Sequence, residues 1–281
     1  MKTAVVIFSR NAAGVPAFWQ NVLESFTTQD LACDLRLLVD SESEDSTVEI
    51  ARKLRWEIRS VKAATFNHGL TRNKIAMELF EQGFDVAVFA TQDAVPANSG
   101  TLSTLVDGLV KNSSAVAYAR QLPRSEHGFD SYFRRRNYPE KSKLKSKDDI
   151  PELGLLTCFC SDTLAAWNLQ SAAEAGGFPE TSFGEDMLLG AKFILSGKTI
   201  YYCAESQCYH EHKSTLTGLF KRGIDIGTLH GTHPELKNNF GSIENCAAGH
   251  IPLKQKIRFF LPLAIKYLGF IIGRLKHTGG R

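Results

Sequence analysis

The stretch TAVVIFSRN, residues 3–11, is a run of apolar and β-branched residues that ends in a polar triplet. Such a run predicts a buried β-strand that leads into a polar loop. Pro16 then suits the start of a helix. Apolar residues repeat at helical spacing after it, at Phe18, Val22, Leu23 and Phe26. The chain is therefore expected to open with a strand, a loop and a helix.

The same plan recurs along the first half of the chain. Further strands are predicted over Leu35–Val39, Glu57–Val61 and Val86–Ala90, with helices over Thr47–Leu54 and Thr71–Gln82. This alternation predicts an α/β protein with a parallel sheet and right-handed crossovers. Because ligands collect at the carboxyl ends of strands in such sheets, three polar strand ends predict one binding site. These ends are Ser9-Arg10-Asn11, Asp40 to Asp45, and Gln92-Asp93.

The second half of the chain is less regular. A strand over Ala115–Ala119 is followed by a long basic loop, Gln121–Asp149, and a helix is predicted around Ser161–Trp167. A further helix over Met187–Leu195 precedes a strand over Thr199–Ala204. No internal repeat is visible, so these elements are expected to belong to one α/β domain.

Residues 257–275 form the last apolar segment of the chain. Three residues are expected to break its helical pattern and three carry positive charge: Pro262, Gly269 and Gly273, and Arg258, Lys266 and Arg274. Breaks and charges in so short a segment argue against a membrane-spanning helix. The pattern favours a basic amphipathic surface helix, which either packs on the domain or contacts anionic lipid headgroups.

Composition and charge exclude several classes of protein. The formal net charge of +3 is too small to indicate nucleic-acid binding, and the basic runs Arg134–Arg136 and Lys141–Lys147 are expected to be solvated loops. The six cysteines contain no C-x-x-C motif, which disfavours a zinc site and a disulfide framework. The first apolar run, Ala4–Phe8, is too short for a signal peptide, so a cytoplasmic location is expected.

Five acidic residues follow strands or begin helices, and for all of them except Asp40 helix or turn capping is an alternative to chemistry. Asp40 follows a strand and could accept hydrogen bonds from a base or ribose, or help to hold a cation. Asp93 could bind Mg²⁺ or Mn²⁺ beside a diphosphate, or cap the next turn. Glu185 and Asp186 begin a helix, so each could cap it, or one could act as a general base. Asp45 with Ser46 favours capping of the helix that follows.

The segment Tyr209-His210-Glu211-His212 comes directly after a strand. Two histidines that are two residues apart on an extended segment point to opposite faces, so at most one is expected to reach a site there. That histidine is either structural or a third ligand of a cation.

Taken together, these motifs resemble glycosyltransferase family 2, the inverting enzymes with a GT-A fold. LVDS (38–41) with DST (45–47) is similar to the family's V-D-D-x-S-x-D-x-T loop, and FNHG (66–69) with TRN (71–73) resembles its F-N-x-G-x-x-R-N stretch. QLPR (121–124) and NYP (137–139) resemble the rhamnosyltransferase branch. The resemblance implies a mixed, mostly parallel central sheet flanked by helices.

The same resemblance implies roles for individual residues. TQDAVP (91–96) is similar to the D-Q-D-S-x-x-P form of the metal-binding D-x-D motif, but Thr91 replaces the first acid. Asp93 and His210, in preference to His212, are thereby implied as ligands of Mg²⁺ or Mn²⁺. Asp186 is implied as the catalytic base, and Glu185 as part of the acceptor or sugar site. The implied donor-binding residues are Ser9, Arg10, Asp40, Asn67, Gly69, Arg72, Gln92 and Asp93.

For this branch the implied reaction is transfer from dTDP-L-rhamnose to a lipid-linked glycan, such as an O-antigen or capsule precursor. Residues 1–213 would form the GT-A domain, with a donor half over 1–115 and an acceptor half over 116–213. Residues 214–281 would form a helical region, at the inner face of a bacterial cytoplasmic membrane if it binds lipid.

Other readings of the sequence remain open. A UDP-sugar donor suits the same motifs, and Thr91 keeps open a non-catalytic sugar-binding or scaffold subunit. The first strand is not followed by G-x-G-x-x-G, and the chain has no P-loop lysine motif, which disfavours Rossmann and Walker-type nucleotide enzymes.

Overall fold

The computed structural model describes residues 1–210, 214–241 and 252–278. Nine strands of these residues form one sheet: β1 (Thr3–Ser9), β2 (Leu35–Asp40), β3 (Glu57–Ser60), β4 (Val86–Thr91), β5 (Val95–Pro96), β6 (Val116–Leu122), β7 (Lys143–Lys145), β8 (Leu164–Asn168) and β9 (Ile200–Tyr209). The α-helices are α1 (Pro16–Thr27), α2 (Thr47–Lys53), α3 (His68–Glu81), α4 (Thr101–Lys111), α5 (Phe129–Asn137), α6 (Ile150–Leu153), α7 (Leu169–Glu174), α8 (Glu185–Leu195), α9 (Leu216–Thr232), α10 (Pro234–Phe240), α11 (Leu253–Arg258) and α12 (Phe260–Thr278).

The sheet is mixed, with strand order β3-β2-β1-β4-β8-β6-β9-β5 and β7 paired to β9. The strands β3, β2, β1 and β4 are parallel, whereas β8 runs antiparallel between β4 and β6. In the parallel part, Ser9 lies opposite Asp40 and Phe8 lies opposite Thr91. The carboxyl ends of β1, β2 and β4 therefore meet at one edge, as the alternation of strands and helices predicts.

Both faces of the sheet are covered by helices, so the central strands have no polar face. All seven residues of β1 are buried. Val5 and Ile7 join the core under α1 and α4, around Trp19 and Leu105, while neighbouring residues of β1 face the opposite core. Burial on both sides explains why these strands appear in the sequence as continuous apolar runs.

The helix predicted around Ser161–Trp167 is wrong. Residues 164–168 form β8, which lies between β4 and β6 and forms backbone hydrogen bonds with both. A short apolar run does not distinguish a buried strand from a buried helix, and sheet pairing decides the outcome here over the helix propensity of alanine.

The basic loop predicted over Gln121–Asp149 is also wrong in part, because it contains α5 and β7. Aromatic side chains hold α5 in place: the rings of Phe129, Tyr132 and Phe133 lie within 6.3 Å of the Phe259 ring. Lys145 in β7 is buried, and its ammonium donates to the carbonyls of Leu156 and Phe159.

The C-terminal helices α9 and α12 pack with their backbones in contact. A Cβ atom on Gly223 would lie 2.2 Å from the Lys266 carbonyl oxygen, and one on Gly269 would lie 2.3 Å from the Phe220 carbonyl oxygen. The breaks predicted at Gly269 and Gly273 are therefore wrong, since the helix continues and its glycines permit the close approach. Pro262 lies in the first turn of α12, where a missing N–H is tolerated. Over the described residues, none of the helices is both long and apolar enough to cross a membrane.

Candidate active site

The carboxylate of Asp40 lies at the end of β2 and is held by neutral donors. Asp40 is only 2% exposed. Oδ1 accepts hydrogen bonds from the hydroxyls of Ser9 at 3.3 Å and Ser43 at 2.5 Å, and Oδ2 accepts one from the Ser43 N–H at 2.9 Å. These bonds fix the carboxylate where the ends of β1 and β2 meet, which is the position that the sequence assigns to donor binding.

Side chains tie together the loops that follow the three strands. The N–H of Arg10 donates to Gln92 Oε1 at 2.8 Å, and the side-chain oxygen of Asn11 accepts from the Glu44 N–H at 2.9 Å. Asn11 adopts φ 48°, a left-handed conformation that asparagine tolerates. These bonds bring Ser9, Arg10, Asp40 and Gln92 to one edge, which we call the donor edge.

Capping accounts for the next acid along this loop. Asp45 Oδ1 accepts a hydrogen bond from the N–H of Thr47, the first residue of α2, at 3.0 Å. Ser46 makes no side-chain bond to the helix. The capping expected of this pair therefore comes from Asp45 alone.

Asn67 and Gly69 both act on the start of α3. The side chain of Asn67 caps the helix by accepting from the Leu70 N–H at 3.0 Å. The Gly69 N–H donates to the Thr181 carbonyl at 2.9 Å, and a Cβ atom on Gly69 would lie 1.8 Å from the Pro179 carbonyl oxygen. Glycine is thus required for packing α3 against the loop that leads to Glu185.

Arg72 lies inside the protein in a cluster of acidic residues. The residue is 3% exposed, its Nε lies 2.7 Å from Asp162 Oδ2, and its Nη1 lies 3.0 Å from Glu185 Oε1. The guanidinium also lies 4.5 Å from the centre of the Phe8 ring. The resemblance implies a donor contact for Arg72, whereas the structure places it on two buried carboxylates.

A neutral His68 ring contacts the same guanidinium. Its Nδ1 lies 3.0 Å from Arg72 Nη1. Burial, and then the neighbouring Arg72 charge, lower the pKa of His68 to about 4. At neutral pH the ring therefore accepts a hydrogen bond from Arg72 and adds no charge to the cluster.

Both carboxylate oxygens of Asp186 are held by backbone N–H groups. Oδ2 accepts from the Asp162 N–H at 3.2 Å, and Oδ1 accepts from the Met187 N–H at 2.7 Å. Burial, and then the adjacent Glu185 carboxylate, raise the pKa of Asp186 to about 6, although the side chain keeps some exposure. A carboxylate with this pKa can take a proton near neutral pH, as a general base must.

Asp93 and His210 lie in contact at the end of β4. His210 Nε2 is 3.2 Å from Asp93 Oδ2, and the Thr91 hydroxyl donates to Asp93 Oδ1 at 2.6 Å. Thr91, which replaces the first acid of the metal motif, thus orients the remaining acid. His212, the alternative ligand, lies outside the described residues.

This pair fits one octahedral cation. Two neighbouring ligands about 2.1 Å from Mg²⁺ are roughly 3.0 Å apart, close to the separation of Oδ2 and Nε2. Among residues 1–210, 214–241 and 252–278, no group of three His, Cys, Asp or Glu side chains is placed to hold a metal ion. Within the described residues, the site therefore offers two side-chain ligands.

A polar network lies behind His210. Its Nδ1 is 2.8 Å from Arg134 Nη1 and 3.0 Å from Gln121 Oε1. The amide of Gln121 donates in turn to Tyr138 Oη at 2.6 Å and Ser161 Oγ at 3.0 Å. Gln121 Oε1 only accepts, so it suits a protonated Nδ1 and leaves Nε2 free for a metal ion, whereas Arg134 only donates and suits the opposite tautomer.

Sequence reasoning missed Asp162 and Arg134. Arg134 belongs to a basic run that favours a solvated loop, although the helical spacing of Phe129 and Phe133 beside it could have indicated a packed helix. Asp162 carries no local signal, because it lies in the segment that was wrongly predicted as a helix and its partners are far away in the sequence.

Comparison with known proteins gives both close relatives and structural neighbours. The chain is 34% identical over 289 aligned positions to the O-antigen chain rhamnosyltransferase RfbN of Salmonella typhimurium, covering 98% of this chain and 90% of that protein. It is 33% identical to the O-antigen chain rhamnosyltransferase WbaN of Salmonella anatum, covering 92% and 85%. No protein-family model matches the chain.

Among solved structures, the chain resembles the mannosyltransferase PcManGT from Pyrobaculum calidifontis in complex with GDP-Man and Mn²⁺, with a TM-score of 0.61, 16% identity and coverage of 99% of this chain and 86% of that one. It also resembles S. aureus TarS 1–349 in complex with UDP-GlcNAc, with a TM-score of 0.58, 15% identity and coverage of 96% and 82%. These likenesses show a glycosyltransferase fold, as the sequence predicts.

Proposed function

The chain is a glycosyltransferase that belongs to the O-antigen chain rhamnosyltransferases, and we propose that it moves L-rhamnose from dTDP-L-rhamnose to a hydroxyl of a lipid-linked O-antigen glycan. The observation that carries this proposal is the Asp186 carboxylate, held by two backbone N–H groups and with its pKa raised to about 6. Asp186 and the donor edge lie in the same α/β domain. The donor would bind within residues 1–115 and the acceptor within 116–213.

The proposed reaction is a single displacement. Asp186 takes the proton of the acceptor hydroxyl while that oxygen attacks the anomeric carbon, and the dTDP leaves from the opposite side, so the configuration inverts. Asp40 and Ser9 bind the base or ribose, and Arg10, Asn67 and Gln92 bind the rest of the donor. Glu185 shapes the acceptor or sugar site beside the base.

Gly69 and Arg72 contact other parts of the protein near the donor site. Gly69 lets α3 approach the loop at Pro179, and the Arg72 guanidinium is occupied by Asp162 and Glu185. We propose that both act by holding the site together.

We propose that Asp93 and His210 would hold a Mg²⁺ or Mn²⁺ ion. When bound, the cation neutralises charge on the leaving diphosphate. The 3.2 Å separation of their ligand atoms supports this assignment, and the Thr91 hydroxyl maintains the orientation of Asp93. The protein thereby offers two ligands at the place where the donor brings its own oxygens.

A UDP-sugar is the alternative donor. The TarS structure in the comparison contains UDP-GlcNAc, and the two pyrimidine bases differ by a single methyl group. dTDP also lacks the 2′-hydroxyl of UDP, so an Asp40 carboxylate that accepts from the N3–H of the base would serve both donors, whereas one that accepts from the 2′-hydroxyl would favour UDP.

A donor screen tests the proposal. Thermal unfolding should be measured with dTDP-L-rhamnose, dTDP-glucose, UDP-glucose and UDP-GlcNAc, each with and without Mn²⁺, followed by a transfer assay on a lipid-linked glycan. We expect the largest stabilisation from dTDP-L-rhamnose with Mn²⁺, and rhamnosylated product. Stabilisation by UDP-sugars alone would show that the donor is a UDP-sugar and not dTDP-L-rhamnose. Binding without transfer to any acceptor would favour a non-catalytic subunit.

We also propose that residues 257–275 contact the inner face of the cytoplasmic membrane. One face of α12 packs inward, whereas α11 has no buried residue. The outward surface of the two helices exposes apolar residues at successive spacings of four and three: Ile257, Leu261, Ala264, Leu268, Ile271 and Leu275. Residues 252–278 contain six Lys or Arg and no acid. The same spacing suits a coiled coil with a second copy, but two such helices would carry no acid to pair with their charges. An anionic membrane surface would bury the apolar face and attract the basic side chains.

Vesicle co-sedimentation tests this contact. We expect binding to vesicles containing phosphatidylglycerol, weaker binding to pure phosphatidylcholine, and loss of binding in Leu268→Glu. Val110 on α4 is similarly exposed, so Val110→Glu serves as the matched control and should bind normally. A dimer in solution that does not bind vesicles would instead assign the face to a second copy.

A further inference from the structure

We propose that Asp162 is a positioning residue for the transfer reaction, because its buried carboxylate fixes the backbone N–H that holds the base, Asp186. This inference rests on the proposed role of Asp186. It concerns a residue that no sequence motif marks, and it makes the ion pair with Arg72 part of the catalytic machinery.

The first line of support is the way that Asp162 is anchored. Its side chain is 4% exposed, with Oδ2 2.7 Å from Arg72 Nε. Oδ1 accepts a hydrogen bond from the indole N–H of Trp167 at 2.8 Å, and Trp167 is completely buried in β8. With its carboxylate fixed at two points, the Asp162 backbone has little freedom, and its N–H donates to Asp186 Oδ2 at 3.2 Å.

The second line of support is that one guanidinium joins both segments that flank the base. Arg72 Nε contacts Asp162, and Nη1 contacts Glu185 Oε1 at 3.0 Å, next to Asp186 in the chain. Removing a carboxylate from such a buried cluster disturbs every remaining charge in it. The same contacts that place Asp186 therefore also set its proton affinity.

The charge balance gives the direction of the effect. One cation, Arg72, lies among three carboxylates, those of Asp162, Glu185 and Asp186. Burial raises the pKa of both Asp162 and Asp186, and the two carboxyl groups titrate as a pair. Because Asp162 Oδ2 lies 2.7 Å from Arg72 Nε, Asp162 holds the charge that offsets Arg72, and neutralising it leaves the guanidinium free to favour the ionised form of Asp186. Neutralising Arg72 has the opposite effect on the same carboxylate.

Other titratable groups around Asp186 do not obscure this effect near neutral pH. They are His68 on α3, Tyr138 after α5 and Cys160 ahead of β8. Burial lowers the pKa of His68 to about 4 and raises the pKa of both Tyr138 and Cys160 above their ordinary values. All three are thus neutral between pH 5 and 8, so a changed rate profile in that range reports the carboxylate cluster.

The test is the pH dependence of kcat for Asp162→Asn, which keeps the shape of the side chain. We expect the acidic limb of the profile to move about one pH unit lower, with a reduced kcat at the optimum because a more acidic carboxylate is a weaker base. The KM for the donor should change little. Asp107→Asn is the matched control, since Asp107 is exposed and its ion pair is with Lys111 on α4.

Arg72→Gln provides a second variant with the opposite expectation, a limb moved to higher pH, should Asp162→Asn fail to fold. Folding of each variant is checked by thermal unfolding. A limb that stays in place in a folded Asp162→Asn or Arg72→Gln enzyme, with kcat falling only as stability falls, would reduce the cluster to a structural ion pair and overturn the inference. Asp186→Asn is assayed in parallel. Retained turnover in this variant would show that Asp186 is not the base, and the proposed function would lose its mechanism. An inactive Asp186→Asn, together with an unchanged acidic limb in Asp162→Asn and Arg72→Gln, would overturn only the role of Asp162.

Discussion

The donor edge and the acid cluster around Asp186 place carboxylates in opposite kinds of environment. At the donor edge, Asp40 is held by the hydroxyls and N–H of Ser9 and Ser43, which carry no charge. In the acid cluster, Asp186 shares one buried cation with two other acids, and burial raises its pKa to about 6. The first arrangement suits a carboxylate that only binds, and the second suits one that exchanges a proton.

Under the proposed function, the difference also separates donor binding from the chemical step. The donor edge is built from the ends of parallel strands β1, β2 and β4, whereas the acid cluster joins α3, the segment ahead of β8 and the start of α8. Substitutions in the first region should therefore change donor affinity, and those in the second should change turnover.

The largest effect on binding is expected at Asp93, just after the end of β4. Asp93→Ala should weaken Mn²⁺-dependent donor binding by about 100-fold or more, because even residues behind a metal ligand change metal affinity by about 10- to 100-fold. Titration calorimetry with dTDP-L-rhamnose, with and without Mn²⁺, measures this. Equal affinities for the variant and the unmodified protein in Mn²⁺ would remove Asp93 from the cation site.

The pH dependence of turnover should follow the acid cluster. Because the base must be unprotonated and its pKa is raised to about 6, kcat should fall about tenfold for each pH unit below 6. Steady-state rates at saturating donor between pH 4.5 and 8 measure this limb. The acidic limb of the kcat profile should be unchanged in Asp40→Asn. A limb near pH 4 in the unmodified protein would contradict the raised pKa of Asp186.

A smaller effect is expected at the donor edge itself. Asp40→Asn keeps one acceptor oxygen but loses the charge, so donor affinity should fall about tenfold, as expected for one or two weakened hydrogen bonds. The kcat at saturating donor should stay within about twofold. A large loss of kcat with intact affinity would place Asp40 in the chemical step and remove the separation of the two regions.

The smallest expected effect concerns stability, and its sign differs between the regions. An acid whose pKa is raised on folding contributes stability that is present at low pH and lost as pH rises through its folded pKa. Ionised Asp186 therefore destabilises the fold above pH 6, and Asp186→Asn should stabilise it by about 1–2 kcal/mol at pH 7.5 but by less at pH 5. Asp40→Asn should destabilise it by about 1–3 kcal/mol. Urea denaturation at both pH values measures the two changes, and stabilisation by Asp40→Asn would contradict this account.

The two regions also differ in how far the sequence predicts them. Parallel strands followed by polar residues place Ser9, Asp40 and Gln92 together, because strand ends in such a sheet share one edge. The partners in the acid cluster, such as Arg72 and Asp162, are 90 positions apart in the chain and are joined only by tertiary packing. Periodicity also failed at residues 164–168, where an apolar run of four, Leu164 to Trp167, suits either kind of element and strand pairing decides.

The most direct test of the account is transfer from dTDP-L-rhamnose by the unmodified protein and by Asp186→Asn. With Mn²⁺ and a lipid-linked glycan, we expect rhamnosylated product with inverted anomeric configuration from the former. For Asp186→Asn we expect a rate lower by about 10²- to 10⁴-fold, the usual contribution of a general base, with donor affinity within about twofold. Turnover by Asp186→Asn at the rate of the unmodified protein would contradict the central claim.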